Sequence, residues 1–196
     1  MNDSQISNGY LELIVGPMFS GKTTKLIEIY NEKCEKYGKE KCLAINYELD
    51  RRYSNEAKIV SHDHLSIDCY SLYDLAEFLD NKKTQNIILN SDYIFINEAQ
   101  FFPNLLHLIL FIKNALNKHI VLCGLDLDFK RNKFGELMDL VPYANKVYKL
   151  TGKCNTKECC YPSEFSHRIV KFNNQLLIGN DCYVPLCKKC YENINN

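Results

Sequence analysis

The segment Gly16-Pro-Met-Phe-Ser-Gly21-Lys22-Thr23-Thr24 fits the pattern GxxxxGK[ST], which is typical of loops that bind phosphate. The mostly apolar residues 11 to 15 before it predict a short buried strand. After it, apolar residues recur at helical spacing until Gly38 offers a stop. The loop is therefore predicted to join a strand to the N-terminus of a helix, where backbone N–H groups and the helix dipole favour an anion.

Two side chains of this loop have the chemistry of nucleotide binding. Lys22 would reach the outer phosphates, and the Thr23 hydroxyl is an oxygen ligand of the kind that Mg²⁺ prefers. The alternative is a chance succession of strand, glycine turn and helix. Because the flanking elements agree with the motif, the sequence predicts binding of ATP or a similar triphosphate.

The composition limits the classes of partner. The chain has 196 residues, with Lys plus Arg and Asp plus Glu both at 24, so its formal charge is zero. Proteins that hold nucleic acid or an anionic membrane by charge usually have a basic surplus. No apolar stretch approaches the roughly 20 residues of a membrane span, and residues 1 to 10 lack a signal-peptide layout. We expect a soluble, cytoplasmic protein that binds neither nucleic acid nor membrane.

Alternating strands and helices predict the α/β class, with a parallel sheet in a P-loop NTPase-like core. The predicted strands cover residues 42–46, 93–97 and 119–125, with a helix over 103–116. The polar residues 47–64 predict a mobile loop. Ser71 and Asp74 have capping-box spacing and predict a helix over 75–81, followed by a short apolar piece at 87–89. Ligands of such sheets gather at the carboxyl ends of the strands.

Beyond residue 146 the pattern changes to short β-like pieces and cysteine pairs. Residues 169–172 and 176–178 are predicted to form a hairpin around Asn173-Asn174. The division of the chain is predicted at residue 150, with a nucleotide-binding α/β domain over 1–150 and a small β lobe over 151–196.

Ten cysteines without an export signal are expected to be reduced, and some of them are expected to bind metal. Cys187-Lys-Lys-Cys190 is a CxxC knuckle, and Cys154 supplies a partner. A closed tetrahedral Zn²⁺ site needs four such ligands, so the fourth is Cys159 or Cys160. A redox CxxC is the alternative, although its usual setting is a strand-to-helix junction.

Several segments together carry a family resemblance. They are the phosphate loop, Glu98-Ala-Gln-Phe-Phe102 after a buried strand, GLDLDFKRNKFG at 124–135, KLTGKC at 149–154 and the paired C-terminal cysteines. In this order, over nearly the whole chain, they resemble type II thymidine kinases. The resemblance implies transfer of the ATP γ-phosphate to the 5′-OH of thymidine, and of deoxyuridine, in deoxynucleotide salvage. The alternative is a zinc-ribbon P-loop ATPase or a nucleotide sensor without kinase activity.

The resemblance also implies the roles of individual residues. Glu98 would be the general base that accepts the proton of the nucleoside 5′-OH; its alternative is a solvated carboxylate at a strand end. Asn97 stands where the family has an aspartate near Mg²⁺, so weaker Mg²⁺ binding is expected. Asp50-Arg51-Arg52-Tyr53 resembles the family's DxRY, in which Arg52 would meet phosphate. His62, nearby in Ser61-His62-Asp63, receives no role.

The complete predicted site follows from the motifs and the resemblance. The nucleotide-binding residues are Gly16, Pro17, Met18, Phe19, Ser20, Gly21, Lys22, Thr23, Thr24, Asp50, Arg52, Asn97 and Gln100. The nucleoside residues are Met18, Phe101, Leu125, Phe129, Phe134, and, in a lasso loop or a mere surface hairpin, Ser166, Arg168, Gly179 and Tyr183. The zinc ligands are Cys154, Cys159, Cys187 and Cys190, since alignment to the family without a gap before Ser166 selects Cys159. The resemblance further implies a homotetramer and feedback binding of dTTP.

Overall fold

Six parallel strands form the central sheet of the computed structural model, which describes residues 9–49, 57–171, 174, 175, 177, 179 and 181–195. In chain order the strands are β1 Tyr10–Gly16, β2 Cys42–Tyr47, β3 Lys58–Val60, β4 Ser66–Asp68, β5 Tyr70–Leu72, β6 Tyr93–Ile96, β7 His119–Leu125, β8 Lys146–Lys149, β9 Gly152–Lys153, β10 Pro162–Ser163, β11 Phe165–Arg168 and β12 Tyr183–Leu186. The central sheet has the order β5-β2-β6-β7-β1-β8. The predicted α/β class with a parallel sheet is confirmed.

Helices cover both faces of this sheet. They are α1 Lys22–Tyr37, α2 Ala76–Asp80, α3 Lys82–Asn90, α4 Leu105–Ala115 and α5 Lys188–Asn195, with 3₁₀ turns at Lys39–Lys41, Ala99–Phe101 and Leu137–Tyr143. One face packs against α1 through side chains such as Leu26 and Ile27. The other face packs against α2, α3 and α4. Burial on both faces explains why the central strands read as continuous apolar runs.

The register of the sheet brings the functional segments to one edge. At the carboxyl ends, Gly16 of β1 pairs with Leu125 of β7, and Val15 pairs with Lys149 of β8. On the other side of β7, Ile96 of β6 pairs with Leu122. The phosphate loop, the segment after β6 and the loop after β7 therefore leave the sheet side by side.

The prediction of a loop throughout 47–64 is wrong in the part that the structure describes. Strands β3 and β4 form an antiparallel hairpin, in which Ile59 pairs with Ile67. Both side chains are buried against the α1 face of the sheet, and Ile59 is 0% exposed. Two apolar residues spaced among many charged ones are too weak a local signal to predict a strand, and their burial depends on a distant helix.

The helix predicted over 75–81 is confirmed as α2 Ala76–Asp80, but its cap lies three residues later than predicted. The Asp74 carboxylate accepts from the Ala76 N–H at 2.9 Å, and the Asp74 N–H donates to Glu77 at 3.1 Å. Asp74 and Glu77 are therefore the capping pair. Asn81 then caps α3 by accepting from the Lys83 N–H at 2.9 Å, and the apolar residues 87–89 belong to that helix.

The C-terminal residues form two small antiparallel sheets, β9 with β10 and β11 with β12. The predicted hairpin over 169–178 is wrong where it is described, since residues 169–171 form no strand, while Asn173 lies outside the described residues. The pairing lies outside that span instead, with Ser166 opposite Pro185 and Arg168 opposite Tyr183. Ser166 and Arg168 in this pairing are buried, whereas the more apolar Ile169 and Val170 are exposed.

Candidate active site

The phosphate loop has the backbone shape that its glycines predict. Gly21 ends the loop at φ 80°, a left-handed conformation that favours glycine. A Cβ on Gly16 would lie 2.3 Å from the Leu150 carbonyl oxygen. Gly21 makes no side-chain cap at the start of α1. Because the first N–H groups of any helix have no partner within the helix, the start of α1 beside this loop suits an anion.

Lys22 lies over this loop and is buried, with 8% of its surface exposed. Its Nζ donates to the Pro17 carbonyl at 2.6 Å, and the Ser20 hydroxyl donates to the same carbonyl at 2.8 Å. The Pro17 carbonyl therefore holds the ammonium group at the phosphate loop. The arrangement can neutralise the charge of bound phosphates.

Glu98 stands at the neighbouring strand end in a left-handed conformation, with φ 53°. Its carboxylate accepts from Gln100 Nε2 at 2.6 Å, and Gln100 Oε1 accepts from the Leu125 N–H at 3.0 Å. A Cβ on Gly124 would lie 2.2 Å from that same Oε1. Gln100 is therefore fixed between β7 and Glu98, and it orients the carboxylate.

Asn97, which directly follows β6, contacts side chains of α1, β2 and β7. The Thr23 hydroxyl is 3.4 Å from Asn97 Oδ1, and Asn97 Nδ2 donates to Asn46 Oδ1 at 3.0 Å. The Cys123 thiol on the intervening strand also contacts Asn97 Oδ1, at 3.3 Å. Oxygen donors from Thr23 and Asn97 thus lie together where a hard cation could be held beside the phosphate loop.

A cavity of about 350 Å³ opens between these segments. Fifteen of the predicted site residues line it: Met18, Phe19, Ser20, Gly21, Lys22, Thr23, Thr24, Glu98, Phe101, Leu125, Phe129, Phe134, Ser166, Gly179 and Tyr183. Five other predicted residues do not line the cavity: Gly16, Pro17, Asn97, Gln100 and Arg168. Asp50 and Arg52 lie outside the described residues. The cavity joins a phosphate-binding end with Lys22 to an apolar end, and Glu98 lies on its wall.

Aromatic rings build the apolar end. The Phe101 and Phe134 rings meet edge to face at a centroid distance of 5.3 Å, and the Tyr47 ring contacts Phe101 at 5.1 Å. The loop after β7 can pack this closely because Gly135, at φ 62°, has no Cβ. A Cβ at this position would lie 2.0 Å from the Gln100 carbonyl oxygen. Flat faces and edges of this kind suit a planar ring.

The small C-terminal sheet closes the opposite side of the cavity. The Ser166 hydroxyl accepts a 2.9 Å hydrogen bond from the Met18 N–H, which joins β11 directly to the phosphate loop. Arg168 donates to the carbonyls of Asn174 and Gln175 at 2.5 and 2.8 Å and also contacts the Tyr183 hydroxyl. Arg168 therefore contacts Gln175 and Tyr183, which line the cavity, but does not itself line it.

Four cysteines form a cluster in this lobe. The sulfur atoms of Cys154, Cys159, Cys187 and Cys190 lie within 4.8 Å of one another. Cys160 is exposed and outside the group. Burial alone would raise the pKa of Cys154, but backbone hydrogen bonds from Cys187 and Thr156 outweigh it and lower the pKa to about 6. Four converging thiols, one of them readily ionised, are a donor set that could hold zinc.

Several lining residues carry roles that local patterns do not reveal. The Thr24 hydroxyl donates to Asp63 at 3.0 Å, and the His62 ring meets Phe19 at 5.7 Å, so the turn between β3 and β4 contacts the phosphate loop. Gln175 Nε2 donates to Asp128 at 2.8 Å, and both residues line the cavity. The Ser61-His62-Asp63 and GLDLDF motifs contain three of these residues, but only the fold shows what they contact.

Comparison with known proteins finds thymidine kinases from viruses and from a plant. The family model for thymidine kinase matches residues 9–191. A thymidine kinase of sheeppox virus is 37% identical over 186 residues, which cover 93% of this chain and 97% of the viral protein. One from Amsacta moorei entomopoxvirus is 37% identical over 93% of this chain and 98% of its own. One from Oryza sativa is 36% identical over 93% of this chain and 66% of its own.

Within the described part of the chain, no helix has both the length and the apolar character needed to cross a bilayer.

The matched span includes the phosphate loop, the strand end that bears Glu98 and all four clustered cysteines. Each of these features was predicted from the sequence, and the fold brings the phosphate loop and Glu98 to one cavity and the four cysteines to one cluster. The chain therefore belongs to the thymidine kinase family.

Proposed function

We propose that this protein transfers the γ-phosphate of ATP to the 5′-OH of thymidine, and also to that of deoxyuridine. The observation that carries the proposal is that Lys22 and Glu98 line the same cavity as the aromatic rings. A phosphate-binding end, a carboxylate and a surface for a planar base are the three parts that a nucleoside kinase needs. Their presence in one cavity supports the reaction together with membership of the family.

Phosphoryl transfer requires mainly that the alcohol is positioned and that charge is neutralised. Lys22 and the N-terminus of α1 would bind the phosphates. Glu98 would accept the proton of the attacking 5′-OH, in the role of general base. Gln100 supports this role, because its 2.6 Å hydrogen bond restricts the carboxylate to one orientation.

Mg²⁺ would supply positive charge that offsets the negative charge of the phosphates. Thr23 and Asn97 would hold it, directly or through water, since their oxygens already lie 3.4 Å apart beside the phosphate loop. An amide at position 97 provides an oxygen without a full negative charge, so Mg²⁺ should bind less tightly than it would to a carboxylate there. Asp50 and Arg52 are proposed to complete the phosphate end of the site.

The apolar end of the cavity would take the pyrimidine. Phe101, Phe129 and Phe134 provide aromatic surface in the cavity, which Met18 and Leu125 also line. Met18 and Leu125 would form the small apolar niche that the methyl group of thymine needs. Tyr183 and the backbone near Gly179 would contact the sugar or the polar edge of the base. Because deoxyuridine differs from thymidine only by that methyl group, the same cavity should accept it.

The cysteine cluster is proposed to bind one structural Zn²⁺ per chain. Strands of two to four residues bury little apolar surface, so a metal that joins Cys154 and Cys159 to the Cys187–Cys190 knuckle would stabilise the lobe. We propose further that the division between the nucleotide-binding domain and this lobe lies at residue 150. A cytoplasmic homotetramer inhibited by dTTP completes the proposal, on the basis of the resemblance.

One experiment tests the proposed function against its rival, a zinc-containing ATPase or nucleotide sensor. The purified protein is incubated with ATP, Mg²⁺ and one nucleoside at a time, and products are separated by chromatography. Thymidine monophosphate and ADP should appear together, with a similar product from deoxyuridine and none from purine nucleosides. Hydrolysis of ATP at the same rate without any nucleoside would support the ATPase instead. Family membership does not favour that rival.

A further inference from the structure

Tyr191 connects the cysteine cluster to the wall of the cavity. It directly follows Cys190 in α5, and its N–H donates to the Cys187 carbonyl at 2.9 Å. At its other end, the hydroxyl donates a 2.6 Å hydrogen bond to the Phe129 carbonyl. Phe129 lines the cavity, whereas Tyr191 does not. A single buried side chain therefore spans from the cysteines to the aromatic wall.

The Tyr191 ring has little freedom to move. It is 5% exposed and packs against the Phe165 ring at a centroid distance of 5.2 Å. The Arg131 guanidinium lies 5.2 Å from the centre of the Tyr191 ring and 5.6 Å from that of Phe165. Because Arg131 and Phe129 belong to the same loop, that loop is attached to the lobe by both a cation–π contact and a hydrogen bond.

The lobe also holds the Phe129 side chain. The Arg168 guanidinium lies 3.6 Å from the centre of the Phe129 ring, and its N–H groups are directed to the Tyr183 hydroxyl and to backbone carbonyls. The ring is therefore covered on one face, while its backbone carbonyl is bonded to Tyr191. The Lys130 ammonium also lies 5.4 Å from the centre of this ring, and Phe129 lines the cavity.

We infer that Tyr191 is a positioning residue for nucleoside binding, which acts by fixing the Phe129 backbone to the cysteine-bearing lobe. The inference rests on the proposed function, since it assigns Phe129 to the wall for the base. An aromatic wall that is already ordered costs less conformational entropy when a ligand binds. Loss of the hydroxyl should thus weaken nucleoside binding and leave the phosphate end of the site intact.

Tyr191→Phe is the direct test, because it removes one oxygen and keeps the ring packing. One net hydrogen bond corresponds to a factor of about five in affinity. We expect the KM for thymidine to rise about five-fold, with kcat and the KM for ATP nearly unchanged and zinc content equal to that of the parent. Tyr143→Phe is the matched control, since Tyr143 is 48% exposed and does not line the cavity.

A double-mutant cycle identifies the route of the effect. If Tyr191 acts through the Phe129 ring, then Tyr191→Phe should change thymidine binding in the parent but not in a Phe129→Ala background. Equal effects in both backgrounds would show that the hydroxyl acts elsewhere and would overturn the inference. Loss of zinc from Tyr191→Phe would overturn it too, because the hydroxyl would then support the cysteine cluster itself.

The two proposals can fail separately. If the parent protein does not phosphorylate thymidine, the proposed function fails. If the parent does so and Tyr191→Phe leaves the KM for thymidine unchanged, only the positioning role of Tyr191 is refuted. Thermal unfolding of each variant, measured with and without thymidine, gives a second readout that does not depend on turnover. The shift produced by thymidine should be smaller in Tyr191→Phe than in the parent.

Discussion

The Ser166 hydroxyl and the Met18 N–H, 148 residues apart in sequence, form a 2.9 Å buried hydrogen bond between the C-terminal lobe and the phosphate loop. Met18 and Ser166 both line the cavity, one from each side. The wall that would contact the nucleoside and the loop that would bind ATP are therefore joined directly. A change at either residue should affect both substrates.

Ser166→Ala removes the acceptor and leaves a buried N–H group in need of a partner. We expect the KM values for thymidine and for ATP both to rise, by roughly five-fold, since one hydrogen bond is worth about 1 kcal/mol. Steady-state kinetics with each substrate varied in turn would measure this. Ser166→Thr keeps the oxygen and should be much closer to the parent; equal losses in the two variants would contradict the role of the hydroxyl.

Glu98→Gln should abolish turnover while substrate binding persists. The amide cannot accept the proton of the 5′-OH, and loss of a general base commonly costs about 10²- to 10⁴-fold in rate. Turnover is measured by product formation, and binding by calorimetry with thymidine and with ATP. Glu77→Gln, at the exposed cap of α2, serves as control. Turnover close to that of the parent would remove Glu98 from the mechanism.

Asn97→Asp should lower the Mg²⁺ concentration needed for nucleotide binding. A carboxylate beside the Thr23 hydroxyl adds a full negative charge. We expect the required Mg²⁺ concentration to fall roughly ten-fold, which corresponds to about 1.4 kcal/mol. Asn46 can rotate its amide to donate to the new carboxylate, so the contact between the two side chains survives. Titration of ATP binding against Mg²⁺ measures the effect. An unchanged Mg²⁺ requirement would place position 97 outside the metal's surroundings.

The cysteine cluster predicts opposite results at two adjacent positions. Cys159→Ser should lose zinc and become less stable to heat, because binding of the metal would contribute to folding of the lobe. Cys160→Ser should keep one zinc per chain, since Cys160 is exposed and outside the group of four sulfur atoms. Metal analysis of the purified variants measures both. The reverse pattern would assign the fourth ligand to Cys160.

Acid should weaken the fold through the buried pair of Glu12 and His119, whose side chains lie 2.9 Å apart. Burial raises the pKa of Glu12, but the hydrogen bond and charge of His119, together with the Tyr148 hydrogen bond and the Lys146 charge, outweigh it, so the folded-state pKa lies below the ordinary 4.5. The resulting stabilisation is present above pH 4.5 and is lost as the pH falls through the lower folded-state pKa. Glu12→Gln lacks this contribution.

Urea unfolding of the parent and of Glu12→Gln, at pH 7 and at decreasing pH below 4.5, measures that contribution. The difference in the free energy of unfolding between the two proteins should be larger at pH 7 and should shrink in acid. Glu28→Gln is the control, because the Glu28 side chain is 54% exposed and water screens its charge. A difference that grows in acid would show that the pKa of Glu12 is raised in the folded protein.

Local patterns were sufficient for the elements that position the site. The phosphate loop lies between β1 and α1 as predicted, and β7 has the predicted bounds of His119–Leu125. These predictions succeed because a strand buried on both faces must be apolar throughout, and because the loop's glycines meet a backbone requirement within the loop itself. The weaker signals failed at β3, where burial of Ile59 depends on packing against α1.

The sequence by itself determined the chemical groups of this protein: a phosphate loop, a carboxylate after a buried strand, aromatic residues and enough cysteines for a metal site. Only the tertiary structure decided their partners. It placed Gln100 on Glu98, Ser166 on Met18 and Tyr191 on Phe129, and it brought Cys159 to the other thiols. The last three of these contacts join segments far apart in the chain, and their distances depend on the register of strands and on burial, which no local pattern records.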